Sequence, residues 1–320
     1  MGKSAAAESI SLGMGTEICH RAFGKHAEKA LRAVEAEAKR LERLLSRFVP
    51  ESEICGINRF AGRKEVTLGP DAFEVLALAA HFSACCHGTF DVTIGPLVKL
   101  WNVQHTAAVP DEDRIRQVLP LVNYADVLLD PAAKTAGLRQ PGQSIDLGAI
   151  GKGYASDKFT YLFRSFGVSS AFTNLGGNVA VLGGKPDGSP WRVGIRHPRW
   201  ENRLIGAVSV VDKAVVTSGD DQRYFVDGSG KRRHHILDPT IGYPSESGLL
   251  STTIVADSAA AADALSTALF VAGLEKGLGI LESFPGAEAI LVDGNLQVYV
   301  TPGLRDRFRT EEGTKAMIIV

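Results

Sequence analysis

The sequence predicts an α+β fold, with mixed and antiparallel sheets and helices packed on them. Three observations carry that prediction. Apolar residues recur in steps of three and four between Lys25 and Phe48, the spacing of an amphipathic helix. Short apolar runs in the second half flank turn pairs such as Gly176-Gly177 and Asp293-Gly294, which mark hairpins. The helical segments fall between groups of strands instead of alternating with them one for one, which argues against a doubly wound parallel sheet.

In chain order, the first helix spans Lys25 to Phe48, with Ala27, Leu31, Val34, Ala38, Leu41, Leu45 and Phe48 on its dry face. A loop with Pro50 and Gly56 leads to a helix over Asp71 to Ser83, started by Pro70 and stopped by Gly88. Gly88 to Leu97 reads as a loop with an ordered bend, Asp111 to Val118 as helix and Val127 to Asp130 as strand. Ile145 to Ile150 is a short apolar strand running into glycines, and Lys152 to Phe166 a helix ended by Gly167. Strands follow at Ala171–Leu175, Asn178–Leu182, Trp191–Arg196 and Ala207–Thr217. Gln222–Val226 and Lys231–Leu237 flank the turn Asp227 to Gly230. Leu250–Val255 is a strand, Ser258–Ala272 a helix, and Ala289–Val292 with Gln297–Thr301 a last hairpin.

The 320 residues allow two domains or one large one, and no linker, repeat or low-complexity stretch divides them. The expectation is a flexible N-terminal tail over 1–11 and a single domain over 12–320. With 45% hydrophobic and 22% charged residues the composition is that of a globular chain. A net charge of -1 gives no basic excess to bind nucleic acid or an anionic membrane surface. No apolar stretch is long enough for a transmembrane segment. Four cysteines without a CxxC pair do not make a disulfide framework. As written the chain is expected in the cytoplasm; it is expected in the periplasm or at a membrane if an export signal has been removed. Glycine, at 34 residues, is in excess, which suits close backbone approach to a phosphate-bearing ligand.

Four segments could carry chemistry. Ile145 to Tyr154 runs from a strand through Gly148, Gly151 and Gly153 into a helix bearing Lys152. Free N–H groups at such a helix start attract phosphate oxygens, and the lysine adds a full charge. A plain strand-to-helix turn is the structural alternative, since the spacing is neither GxxxxGK[ST] nor GxGxxG. Asp263 and Thr267 stand four residues apart on one helix, so both face the same side. A carboxylate and a hydroxyl are hard oxygen ligands suited to Mg²⁺, although an aspartate near a helix start also serves as a cap. Thr217-Ser218-Gly219-Asp220 is followed by His234-His235-Ile236-Leu237-Asp238-Pro239. This pairs anion donors with a histidine able to act as acid or base near neutrality. No third histidine or carboxylate stands at the spacing of a zinc site. Gly88 to Leu97, with Trp101 close by, is the fourth segment.

In this order the segments resemble the FAD:protein FMN transferase family, often called ApbE. The resemblance rests on GTFDVTIGPLVKLW from Gly88 to Trp101, IDLGAIGKGYASD from Ile145 to Asp157 and NLGG from Asn174 to Gly177. It rests also on TSGD from Thr217 to Asp220, HILDPTIGYP from His235 to Pro244 and DALSTALF from Asp263 to Phe270. Met14 to Thr16 and Ser46 to Glu53 fit as well, so the resemblance spans about residues 12 to 301. It implies an ApbE-like, T-fold-related architecture. It also implies Mg²⁺-dependent transfer of the FMN half of FAD to a threonine of an acceptor protein, with release of AMP. Carried over by position, it implies a metal held by Asp263, Thr267 and the Gly151 carbonyl, and His235 as the catalytic residue. Met14, Phe48, Asp91, Lys152, Ser218, Gly219 and Asp220 are implied in the FAD pocket. The chain departs from the family pattern at Val92, Asp221, His234 and Thr240-Ile241. An acceptor motif is not convincingly present, so the acceptor is expected to be another protein. An FAD pyrophosphatase and a catalytically weak FAD-binding protein are the alternative readings.

Overall fold

The computed structural model describes residues 6–319. Strands β1 (Ala6–Gly13) and β2 (Thr16–Phe23) form a hairpin, followed by helices α1 (Ala27–Leu45) and α2 (Glu53–Arg59). Strand β3 (Val66–Thr67) precedes α3 (Pro70–Cys85), α4 (Gly95–Trp101) and α5 (Glu112–Val118). Strands β4 (Val127–Asp130) and β5 (Thr135–Leu138) lead to α6 (Gly151–Ser165). Six strands come next: β6 (Ser170–Leu175), β7 (Asn178–Leu182), β8 (Trp191–Arg196), β9 (Leu204–Val210), β10 (Ala214–Gly219) and β11 (Tyr224–Val226). After β12 (Arg232–His234) and β13 (Leu249–Ala256) stand α7 (Ala259–Ala272) and α8 (Leu274–Leu281). The chain ends with β14 (Glu288–Asp293), β15 (Val298–Val300), β16 (Phe308–Thr310) and β17 (Ala316–Ile318).

Nine strands make one sheet in the order β1-β2-β6-β7-β10-β13-β14-β15-β17. Its neighbours are antiparallel except for β15 and β17, which run parallel. The fold class is therefore α+β with a mixed sheet, as the hairpin signals imply. One face of the sheet carries α1, α3, α6 and α7 over a large core that includes Leu41, Leu76, Phe159 and Leu265. The other face packs on a three-stranded sheet, β16-β9-β8, through Val181, Val208, Val255 and Val300. A third cluster, Leu97, Trp101, Ile115, Phe225 and Leu237, joins α4 and α5 to the segment after β12. There the Trp101 indole N–H donates to the Gly242 carbonyl at 2.8 Å. No helix among the described residues is long and apolar enough to cross a membrane.

Several expectations need correction. The tail expected over 1–11 is strand β1 from Ala6 onward, paired with β2 along its whole length; residues 1–5 lie outside the described residues. The single strand expected over Ala207–Thr217 is two strands, β9 and β10, in different sheets. Asp212, at φ 49°, turns the chain between them. A left-handed residue cannot continue a strand. Ile145–Ile150 forms no strand; Ser144 makes only a bridge to Ile94. The bend expected after Gly88 contains α4, which starts at Gly95-Pro96, where a proline lacking N–H costs no bond.

Candidate active site

Two helix starts meet at the centre of the site. Asp157, in the second turn of α6, receives the N–H groups of Ala259 and Ala260 at 2.7 and 3.0 Å and the Ser258 hydroxyl at 2.8 Å. It thus caps α7, whose own cap residue is Ser258. Gly153 lies so close to α7 that a Cβ there would stand 2.2 Å from the Ala259 carbonyl oxygen. The glycine in this motif therefore serves the contact of the two helices.

That contact delivers the first turn of α6 to Asp263. One Asp263 carboxylate oxygen accepts the Gly153 N–H at 2.9 Å, and the other lies 3.8 Å from the Lys152 ammonium. Lys152 also donates to the Gly148 carbonyl at 3.0 Å. Asp263 is only 4% exposed, so its charge requires such partners. Thr267 lies one turn further along α7, where its hydroxyl stands 3.1 Å from that of Ser218 at the end of β10. The structure thus joins Lys152, Asp263, Thr267 and Ser218, with Gly151 opening α6 next to Lys152.

A carboxylate, a hydroxyl and nearby carbonyls are hard oxygen donors, and a cationic ammonium already sits against the carboxylate. The donor set therefore fits Mg²⁺, which keeps several waters and takes few protein ligands. Among the described residues no three His, Cys, Asp or Glu side chains converge. A softer metal held by side chains alone has no ligand set here.

His235 follows β12. Its Nδ1–H donates to the Arg223 carbonyl at 3.3 Å, since a carbonyl oxygen can only accept. Nε2 then carries the free lone pair. Burial lowers its pKa to about 4, helped by the charges of Arg223, His234 and Lys152. The neutral imidazole is therefore the form present at neutral pH. Its neighbour His234 is structural: Nε2–H donates to the Ser245 carbonyl at 3.0 Å, and the ring packs edge-on against Phe270.

The remaining expected residues divide. Met14 and Gly15 form the two-residue tip of the β1–β2 hairpin, at φ 51° and 73°. A methionine in left-handed backbone carries strain; here the Met14 N–H is held by Glu42 of α1 at 2.8 Å. Leu12, Gly13, Gly15, Thr16, Glu17 and Glu42 line a hollow of about 440 Å³ around it. The Gly176-Gly177 tip lies alongside, since a Cβ on Gly176 would stand 2.2 Å from the Thr16 hydroxyl. Phe48 is 76% exposed, covered on one face by the Arg47 guanidinium. Arg47 in turn bonds Asp146 at 2.9 Å, which ties the Phe48 loop to the entry of α6.

Gly219 ends β10 beside Ser218 and Asp220 follows it, but the Asp220 carboxylate is held by Arg199 through two bonds of 2.6 and 2.7 Å. Asp91 is held by other partners. Both its oxygens are spent on Thr93 and on the Tyr124 N–H, and burial raises its pKa against those bonds. These bonds tie its loop to the segment at Tyr124.

Sequence reasoning missed Arg199, Ser266, the cap role of Asp157, and Asn58. Asn58 makes a two-way bond to the Ile145 backbone at 2.6 and 3.1 Å, replacing a strand partner. It also missed the role of Tyr154, whose hydroxyl lies 2.8 Å from both Asp71 and Glu74 of α3. Lys158 and Arg40 complete that charged clasp between α1, α3 and α6. The KGY spelling was a signal for Tyr154; nothing in the sequence marked Arg199. At the Thr240-Ile241 departure, Asp238 receives the N–H and hydroxyl of Thr240 at 2.8 and 2.7 Å.

A sequence model described as the ApbE family matches residues 14–291. A FAD:protein FMN transferase of Klebsiella pneumoniae (strain 342) is 38% identical over 297 residues, 92% of this chain and 92% of that protein. One of Treponema pallidum (strain Nichols) is 36% identical over 295 residues, 88% of this chain and 81% of that one. The crystal structure of the ApbE protein from Thermotoga maritima superposes with a TM-score of 0.88 at 31% identity. That match covers 95% of this chain and 100% of the other.

Proposed function

Because the chain belongs to the ApbE family and is a transferase, we propose that it moves the FMN half of FAD to a threonine hydroxyl of an acceptor protein. The transfer is Mg²⁺-dependent and releases AMP. One observation carries the reading: Lys152, the Gly153 N–H and the Asp263 carboxylate meet at the joint of two helix starts. Pyrophosphate cleavage requires that charge be neutralised on the phosphate oxygens, and positioned cations do that work.

Asp263, Thr267 and the Gly151 carbonyl would hold the metal, which when bound neutralises phosphate charge. Lys152 would leave Asp263 for a phosphate oxygen; its flexible stem allows the move. The start of α6 adds the positive end of its dipole. The acceptor oxygen attacks the phosphorus of the FMN half, a P–O bond to threonine forms, and the P–O bond to AMP breaks. His235 Nε2 takes the threonine proton, and the AMP oxygen leaves with the charge. Met14 and Phe48, at the hairpin tip and the loop after α1, would bound the FAD site, with Ser218, Gly219 and Asp220 on its other side.

The test incubates the protein with FAD and Mg²⁺, with and without a threonine peptide, and follows AMP and peptide mass together. AMP with a peptide heavier by one FMN unit is the expected result. AMP without a mass gain would make the enzyme a pyrophosphatase. No AMP in either tube, with FAD bound, would leave a binding protein.

A further inference from the structure

We propose that Ser266, a residue outside the ligand set above, is a positioning residue that fixes the proton order of a hydroxyl chain and so keeps Thr267 in the form that binds a cation. The inference rests on the cation reading of Asp263 and Thr267.

Three hydroxyls stand in line under α7. Ser266 is fully buried and its hydroxyl lies 2.9 Å from the backbone carbonyl of Asp263, one turn back. A carbonyl has no proton to give, so Ser266 is the donor there. Ser218 Oγ lies 2.8 Å from Ser266 Oγ and 3.1 Å from Thr267 Oγ1.

A serine or threonine hydroxyl has one proton. With the Ser266 proton committed to the carbonyl, the 2.8 Å contact has Ser218 donating to Ser266. The Ser218 proton is then spent, so the 3.1 Å contact has Thr267 donating to Ser218. Thr267 therefore sends its proton inward to the strand and keeps its lone pairs for another partner. A neutral hydroxyl ligates a hard cation only through such lone pairs. The Asp263 carbonyl thus sets the proton of Thr267 through two intermediate oxygens, and chains of this kind reinforce each other in a low-dielectric interior.

Without Ser266 the order is lost. Ser218 no longer has an acceptor on α7 other than Thr267, and it can turn its proton onto Thr267 Oγ1. That uses a lone pair of Thr267 and frees the Thr267 proton to point at the cation position. Helix formation does not suffer, since alanine is the better helix former.

The experiment measures Mn²⁺ binding to the purified protein by the loss of the free-ion paramagnetic signal, alongside FAD binding by flavin fluorescence with chelator present. Mn²⁺ prefers the same oxygen donors as Mg²⁺. Ser266→Ala is expected to weaken Mn²⁺ binding roughly tenfold with metal-free FAD affinity unchanged, about one lost good hydrogen bond's worth of bias. Asp263→Ala is expected to abolish Mn²⁺ binding. Wild-type Mn²⁺ affinity in Ser266→Ala, with Asp263→Ala dead, overturns the role of Ser266 and leaves the cation site standing. Equal loss of Mn²⁺ and FAD binding in Ser266→Ala makes the residue merely structural and overturns the inference too. Wild-type binding in Asp263→Ala sinks the cation reading itself. Should Ser266→Ala not fold, Ser266→Cys, close in size and a weak donor, is expected to weaken Mn²⁺ binding; unchanged affinity there overturns the proposal.

Discussion

His235 illustrates how much a single bond decides at the scale of one residue. Its Nδ1–H is fixed on the Arg223 carbonyl, so the basic nitrogen is Nε2, and burial brings its pKa to about 4. The base form is therefore lost only as the pH falls toward about 4. The expected rate profile for FMN transfer is flat from about pH 6 to about pH 8 as far as this group is concerned, with an acid limb near 4. A limb near the ordinary histidine value of 6.5 in single-turnover measurements would remove His235 from the role of base. His235→Ala is expected to lower the rate by about a hundredfold or more while FAD still binds. Lys152, Asp263 and Thr267, which the structure brings together through Gly153 and Ser218, were marked in the sequence by residue types at fixed spacings on two helices. His235, after β12, was marked by the motif that carries the family resemblance. Arg199 was not. It comes from the loop between β8 and β9, and its bond to Asp220 spans 21 residues, so no local pattern records it. Asp91 shows the converse. Its carboxylate accepts the Thr93 N–H of its own loop and the Tyr124 N–H from 33 residues further on.

The packing of helix on helix holds the site together at the scale of elements. Gly153 is the point where α6 meets α7, so Gly153→Ala must push them apart or distort one of them. The expected cost is about 1–3 kcal/mol in urea unfolding. FMN transfer should fall further than the stability loss explains, because Lys152 and Asp263 ride on the two separated helices. A variant as stable and as active as the wild type would show that the joint is loose. Helices α1, α6 and α7 were legible because their apolar residues or capping letters repeat over several turns. The boundary between β9 and β10 was not, since an apolar run records burial and not the identity of the sheet that buries it. The β1–β2 hairpin was missed for a different reason. Its tip is Met14-Gly15 rather than a familiar Asn-Gly pair, and the strand before it alternates half-buried with exposed residues.

The whole molecule responds to acid through a residue far from the chemistry. His20 of β2 is fully buried, packed edge-on against Phe159 of α6 with ring centroids 5.3 Å apart, and its Nδ1 lies 2.9 Å from the Thr173 hydroxyl. Burial, opposed by Glu35, lowers its pKa from 6.5 to about 4. The unfolded chain therefore binds this proton first as the pH falls. Stability from the neutral ring is complete above about 6.5 and is lost as the pH drops toward about 4. At about 1.4 kcal/mol per unit that amounts to on the order of 3 kcal/mol. The urea midpoint is expected to fall between pH 7 and pH 4 by clearly less in His20→Gln than in the wild type. Equal falls would mean that the ring accepts its proton without unfolding anything.

The nine-stranded sheet also sorts the genetics of the site. Along β10, Ala214 and Val216 belong to the helix-covered core and Ser218 reaches α7, whereas Val215 belongs to the core shared with the small sheet and Thr217 bonds Thr253. Neighbouring codons of one short strand therefore write to opposite sides of a wall. Ala214, Val216 and Ser218 face the helices that carry the site, while Val215 and Thr217 touch the scaffold behind it. A library that varied both sets together would confound two independent properties, and one that varied the helix-facing set alone would explore catalysis against a fixed background.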